Sequence, residues 1–344
     1  MGEKILVYSP NWIGDAIMAV PMVKTVKQVF PEAALTMFCK KWVAGVYRFL
    51  PEVDDIITFT RKERKARHTR SRIIERLRSQ EFERAFILPD SFSTTRLIFQ
   101  ARIPQRIGYR DQFRSLMLTH RLSPRAGTGW HRSDKYMHVL HPFETELPYG
   151  LAPRLEAPPA PDMAQLCPKY NPDKLVVGLN PQAVATSRRW PIPNWIQLID
   201  MLAASEIQFI LFGGPNDQER SARVAREARG DIVDMTGRLP LQDSITLMSR
   251  CDLFVTNDSG LMHVANALGV PTVGMYGAAD VRITGLRGNI YRNINANVYC
   301  SPCVKNTCPN EKEPLICLTS ITPDRVAAEV RDLIASDLSR QPDS

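Results

Sequence analysis

No apolar run in this sequence is long enough to cross a bilayer. Stretches such as "KILVY", "KLVVGLN" and "IQFILFGG" are only strand-length, whereas a spanning helix needs about 20 apolar residues. The N-terminus enters a strand pattern almost at once, without a signal peptide, so a cytoplasmic location is expected. Aromatic residues make up only 8% of the chain. They form no stacking platform, and no homeodomain, zinc-finger or RNA-binding signature accompanies them. Internal repeats and long low-complexity segments are absent too, which excludes solenoids and disordered scaffolds.

What is present is a globular composition, 44% hydrophobic and 23% charged over 344 residues, a length that fits two domains of moderate size. Strand and helix patterns alternate through both halves. "KILVYS", "ALTMFC", "DIITF" and "RAFILP" read as strands in the first half, with helices over 16–30, 42–50 and 70–80. "KLVVGLNP", "IQFILFGG", "DIVDMTG", "DLFVTND" and "PTVGMYG" repeat the alternation in the second. Such alternation predicts an α/β fold of parallel sheets with helices on both faces. Six prolines between 153 and 172 mark an extended linker. The expected layout is a domain over 1–160, a proline-rich linker over 161–173 and a second domain over 174–344. Two doubly wound domains then face each other, with the ligand at the carboxyl ends of the strands. Thr322 and Pro323 open the last helix as N-cap and first helical residue, and this helix is free to pack back on the first domain.

The net charge of +8 is unevenly spread. Residues 61–84 hold ten Lys or Arg against four Glu. That segment suits an anionic membrane surface, a phosphorylated substrate or a nucleic acid, or is simply a solvated helix face.

Three strand ends carry chemistry. After "KILVYS" comes "PNWIGDAIMAV", with Asp15 at the mouth of a helix. After "KLVVGLNP" comes "QAVATSRRWP", with adjacent Arg188 and Arg189. After "LFVTN" comes "DSGLMHVANALG". A helix N-terminus presents unpaired N–H groups with partial positive charge, so Ser259, Gly260 and Leu261 are placed to hold a phosphate, with His263 in the first turn. Asp258 would repel phosphate and better orients the loop; alternatively, Asp258 or Ser259 is an ordinary N-cap. Arg188 and Arg189 match phosphate geometry, or are an ordinary surface pair. Asp15 is a candidate general base for an attacking hydroxyl, or another N-cap.

In this order along the chain, "PNWIGDAIMAVP", "FILPDSFSTTRLIFQARIPQRIGYR", "SRRWP", "ILFGG" and "VTNDSGLMHVANALGVPTVGMYG" resemble glycosyltransferase family 9, the ADP-heptose:lipopolysaccharide heptosyltransferases. "LPDSF" and "RIGYR" favour its type II branch, which adds the second inner-core heptose. The resemblance runs from about residue 4 to the final helix. It implies a glycosyltransferase-B fold, with acceptor in the N-terminal half and ADP-heptose as donor in the C-terminal half. It implies inversion without an obligatory metal or other cofactor, and a lipid A–Kdo–heptose acceptor. It also implies peripheral work at the cytoplasmic face of an anionic inner membrane, and no nucleic-acid partner. The catalytic aspartate falls on Asp15 and the diphosphate cation on Arg188, with Arg189 beside it. The phosphate loop falls on Asp258, Ser259, Gly260, Leu261 and His263, and a nucleoside contact on Asp217. The sequence departs from the family pattern at Gln182 and over 277–285. The alternatives are a family 9 enzyme with another acceptor, as in the type I branch, or another nucleotide sugar. More remote is a basic nucleic-acid or membrane-surface binding protein with a decayed sugar site.

Four of the seven cysteines cluster as Cys300-x2-Cys303-x4-Cys308-x8-Cys317. A Cys-x2-Cys pair suits one tetrahedral zinc ion, although the wider spacings match no standard finger. A structural metal and free thiols are both open; a cytoplasmic location disfavours disulfides.

Overall fold

Parallel pairing organises every strand that the chain forms among its described residues. The structure is a computed structural model and describes residues 2–338, apart from 112, 126–127, 157–161 and 289. It divides into two compact units, 1–155 and 156–344. The first holds β1 (Lys4–Tyr8), β2 (Ala34–Lys40), β3 (Asp55–Phe59), β4 (Arg84–Ile87), β5 (Gln105–Tyr109) and β6 (His120–Leu122). These lie in the order β3-β2-β1-β4-β5-β6. The second holds β7 (Leu175–Asn180), β8 (Ile207–Leu211), β9 (Asp231–Asp234), β10 (Leu253–Asn257), β11 (Thr272–Tyr276) and β12 (Tyr291–Asn295), in the order β12-β11-β10-β7-β8-β9. Counted from its own first strand, each sheet therefore runs 3-2-1-4-5-6, the doubly wound Rossmann order.

That order has a direct consequence. In each sheet the first and fourth strands are neighbours whose connections leave in opposite directions, which opens a crevice at their carboxyl ends. In the first unit these ends lead to residues 9–15 and 88–92. In the second they lead to residues 181–190 and 258–263.

The central strands are buried on both faces, as all-parallel sheets require, and read as continuous apolar runs. β1 is buried over Ile5–Tyr8, and β10 and β11 along their whole length. β5, β6 and β12 are not among the strands expected from sequence. β6 is only three residues, and β5 and β12 carry Arg, Gln or Asn in place of an apolar run. The edge strands β6 and β12 tolerate such composition because one side faces no partner strand, and β5 lies next to that edge.

The second unit's core is anchored by Trp190 and Trp195, both fully buried and packed edge-to-face at 5.3 Å. Trp190 Nε1 donates to the Ile321 carbonyl at 2.9 Å, so even its polar atom is satisfied. Val326, Ala327, Val330 and Leu333 on the helix Pro323–Leu338 join this same core. Gly178 permits close packing at the centre: a Cβ there would come within 2.4 Å of the Phe254 ring. In the first unit Tyr8, Phe38 and Phe59 form the corresponding aromatic cluster. The expected linker over 161–173 is not wholly extended. Asp162 accepts from the N–H groups of Ala164 and Gln165 and caps a short helix, Met163–Leu166.

Candidate active site

In the first unit, the loop after β1 opens directly into the helix Ile13–Met18, which makes Asp15 its third residue. Trp12, the residue before the helix, offers no side-chain cap. The Asp15 carboxylate thus supplies the negative charge that a helix N-terminus favours. Its Oδ1 accepts a hydrogen bond from the Tyr136 hydroxyl at 3.0 Å, and Arg132 Nε lies 3.8 Å from the same oxygen. Tyr136 and Arg132 are four apart on the helix Arg132–Met137 and share one face. Burial, reinforced by the Asp15 charge, pushes the Tyr136 phenol well above its ordinary range, so it remains a donor at working pH. The Nε atom of Arg132 is buried and has no hydrogen-bond partner. Neither residue was singled out from sequence. Their only signal is an i, i+4 spacing, which is too common to stand out.

Beside this site the loop after β4 is clamped by charge. Arg114 is fully buried and donates to the carbonyls of Tyr109 and Pro89, to Thr95 Oγ1 and to Asp90 Oδ1 at 2.6–3.2 Å. Lys135 Nζ holds the other Asp90 oxygen at 3.2 Å. The basic segment forms two helices, Arg61–Lys65 and Arg67–Ser79. The first is fixed by a capping box between Thr60 and Glu63. Leu77 is the one fully buried residue of the second, Ile73 and Ile74 pack partly buried beside it, and most of its charged residues stay exposed. Arg64 NH1 reaches Ser93 Oγ at 3.1 Å, linking the basic segment to the loop after β4.

In the second unit, Arg188 and Asp258 meet. Arg188 NH1 lies 3.0 Å from Asp258 Oδ2, without the alignment of a hydrogen bond, and Arg188 Nε has no partner. Asp258 is 3% exposed; burial raises its carboxyl to about 6, and the Arg188 charge offsets only part of that. The aspartate thus orients the cation, in keeping with the repulsion that rules it out as a phosphate contact. Ser259 precedes the helix Gly260–Ala267 but makes no side-chain cap. Its Oγ instead accepts from Asn180 Nδ2 at 2.7 Å, tying the loops after β7 and β10 together. The first-turn N–H groups over Gly260–Leu261 are therefore not capped by Ser259. His263 is buried in this turn. Asn257 Oδ1 accepts from the Trp190 backbone N–H at 3.0 Å, which sets the chain direction just after the arginine pair.

The remaining expected residues make other contacts. Arg189 Nε donates to the Ala183 carbonyl at 2.7 Å and braces its own loop. Asp217 sits after β8, where its Oδ2 accepts from Gly214 N–H at 2.9 Å. Gln182, a departure from the family pattern, is buried. Its Nε2 donates to Ser221 Oγ at 3.0 Å and more distantly to the Asp217 carbonyl, so it braces adjacent loops. In the other departure, Asp280 caps the short helix Val281–Thr284 and pairs with Arg282.

Chemically, the first unit offers a carboxylate held by a phenol and a guanidinium. The second offers a cation and uncapped helix amides suited to a diphosphate. A lipopolysaccharide heptosyltransferase 2 from Salmonella typhimurium is 27% identical over 97% of this chain and 99% of its own. The solved structure of E. coli ADP-heptose lps heptosyltransferase II is 26% identical, covers 97% of this chain and 99% of its own, and superposes with a TM-score of 0.83. The fold is thus of the glycosyltransferase-B type. E. coli heptosyltransferase WaaC with ADP shares the fold at 18% identity and a TM-score of 0.75, over 96% of this chain and 99% of its own. The model of the family described as glycosyltransferase family 9 (heptosyltransferase) matches residues 70–313, more than half of the sequence, and the chain belongs to that family.

Proposed function

We propose that the protein transfers L-glycero-D-manno-heptose from ADP-heptose to the heptose of the lipopolysaccharide inner core, the type II reaction. The observation that carries this is the extent of the likeness: it covers nearly the whole of this chain and of the heptosyltransferase 2 relative, so both halves are matched. Asp15 takes the proton of the acceptor hydroxyl as its oxygen attacks the anomeric carbon. The bond from that carbon to the diphosphate breaks on the opposite face, and the configuration inverts. The electron pair leaves on ADP, where Arg188, Arg189 and the amides of 259–261 meet the growing negative charge. Tyr136 and Arg132 hold the carboxylate in place. Asp217 belongs to the loop that meets the nucleoside, and Asp258 keeps Arg188 in position. The reaction as written needs no metal. The basic helices over 61–79 suit a phosphorylated glycolipid at the cytoplasmic face of an inner membrane, and no helix among the described residues is long and apolar enough to cross one.

The test is a mass-spectrometric transfer assay with ADP-heptose and lipid A–Kdo acceptors carrying no heptose or one. The expected result is a heptose-sized gain only on the one-heptose acceptor. A gain only on the heptose-free acceptor would move the protein to the type I reaction. No gain on either, with ADP still bound, would overturn the proposal.

A further inference from the structure

The segment between β12 and the helix Ile316–Thr319 serves no step of the transfer reaction, yet it is built with care. Residues 296–315 contain no helix or strand. Irregular runs of that length inside a compact unit need something else to hold them. Within the segment Val304 and Leu315 adopt left-handed backbone angles, φ 54° and 59°, a conformation rare for a β-branched residue such as valine. All four clustered cysteines, Cys300, Cys303, Cys308 and Cys317, line one small cavity, together with Ser187 and Ala278. None is in a disulfide. The Cys308 sulfur accepts the Leu315 backbone N–H at 3.3 Å. Cys317 is pressed against the end of β11, where a Cβ on Gly277 would meet its sulfur at 2.7 Å.

The same segment grips the candidate donor site. Val304 N–H donates to the Ala278 carbonyl at 2.7 Å, and Ser187 N–H donates to the Asn306 carbonyl at 3.1 Å. Thr186 Oγ1 reaches that Asn306 carbonyl as well, at 3.2 Å. The turn Thr186–Arg188 is therefore hydrogen-bonded to the chain between Cys303 and Cys308.

We infer that Cys300, Cys303, Cys308 and Cys317 bind one thiophilic metal ion, and that this ion fixes the segment which in turn fixes the Arg188 turn. Soft thiolate ligands select zinc or iron over the hard cations. Among the described residues no three His, Cys, Asp or Glu side chains stand as a group that could hold a metal ion, so the four sulfurs would have to draw together around it. Each coordinating thiol releases its proton to solvent, and the sulfur lone pair forms the bond to the metal. The role is structural and adds no step to the transfer reaction; the coupling to Arg188 rests on the proposed donor site.

The experiment uses the full chain, reduced, equilibrated with zinc and then desalted, with metal content read by inductively coupled plasma mass spectrometry. About one zinc per chain is expected in the wild type, and none in Cys303→Ser or Cys308→Ser. Cobalt in place of zinc should give the intense sulfur-to-metal absorption of a tetrahedral thiolate site, which needs no variant to fold. Stripping the metal should weaken ADP binding severalfold by calorimetry. Retention of no metal by the wild type, or equal retention by the serine variants, overturns the site. Metal binding with ADP affinity unchanged on stripping overturns the coupling to Arg188. The metal count is independent of the transfer assay, so the two can fail separately.

Discussion

Replacing Asp258 by Asn should stabilise the second unit, and only above a defined pH. The carboxyl is 3% exposed, and burial raises it from an ordinary 3.8 to about 6 even with Arg188 beside it. Between these values the folded chain holds a proton that the unfolded chain has lost. Stability therefore falls as pH rises through the window from about 4 to 6. Above it the full cost applies, about 3 kcal/mol for a shift of roughly two units. Asn keeps the shape and removes the charge, which lifts that cost. It also leaves Arg188 without its counter-ion, but Arg188 is 29% exposed and can hydrate. The net expectation is a gain of about 2 kcal/mol at pH 8, shrinking to nearly nothing at pH 4. For a unit of this size that corresponds to about 4–8 °C in melting temperature. Differential scanning calorimetry of both proteins across this pH range measures it, with the second unit's transition identified as the one that ADP shifts upward. All other titrating groups are shared and cancel in the difference. A difference that does not change with pH, or a variant less stable at pH 8, would refute the account of Asp258 as a buried, costly charge.

Other expectations concern the first unit, the core and the surface. Asp15→Asn should lower kcat by about 10²–10⁴ while ADP affinity, read by calorimetry, stays unchanged. Tyr136→Phe removes one hydrogen bond to a charged oxygen and should reduce kcat by about tenfold; a fall in KM alone would deny it a role in positioning Asp15. Gly178→Ala places a Cβ 2.4 Å from the Phe254 ring and should cost about 1–3 kcal/mol in denaturant unfolding. Binding to vesicles of anionic lipid should weaken steeply between low and high salt; Arg70→Glu with Arg72→Glu in the basic helix should weaken it already at low salt and flatten that salt dependence.

Much of this was legible in the residues themselves. Periodicity marked the buried central strands because an all-parallel sheet demands unbroken apolar runs, as in β1, β7 and β10. Two of the four edge strands escaped notice, since His120–Leu122 and Tyr291–Asn295 carry no such run. Glycine and polar residues at strand ends pointed to Asp15, Arg188 and Ser259. Tyr136 was invisible because the 121 positions that separate it from Asp15 are bridged only by the fold. Arg189 stood out beside Arg188 as a phosphate cation, and only the fold shows that its Nε also serves the Ala183 carbonyl.

By itself, then, the sequence determined the alternation of strands and helices and the residue types at each strand end, because local periodicity and turn chemistry act over a few residues. Tertiary structure decided which of those residues meet. The strand order sets β10 beside β7, and only that places Asp258 at Arg188 and Asn180 at Ser259, pairs 70 and 79 positions apart. It also decided the state of Asp258, whose raised carboxyl follows from burial between packed strands, and no pattern of neighbouring letters encodes how deeply a side chain is buried.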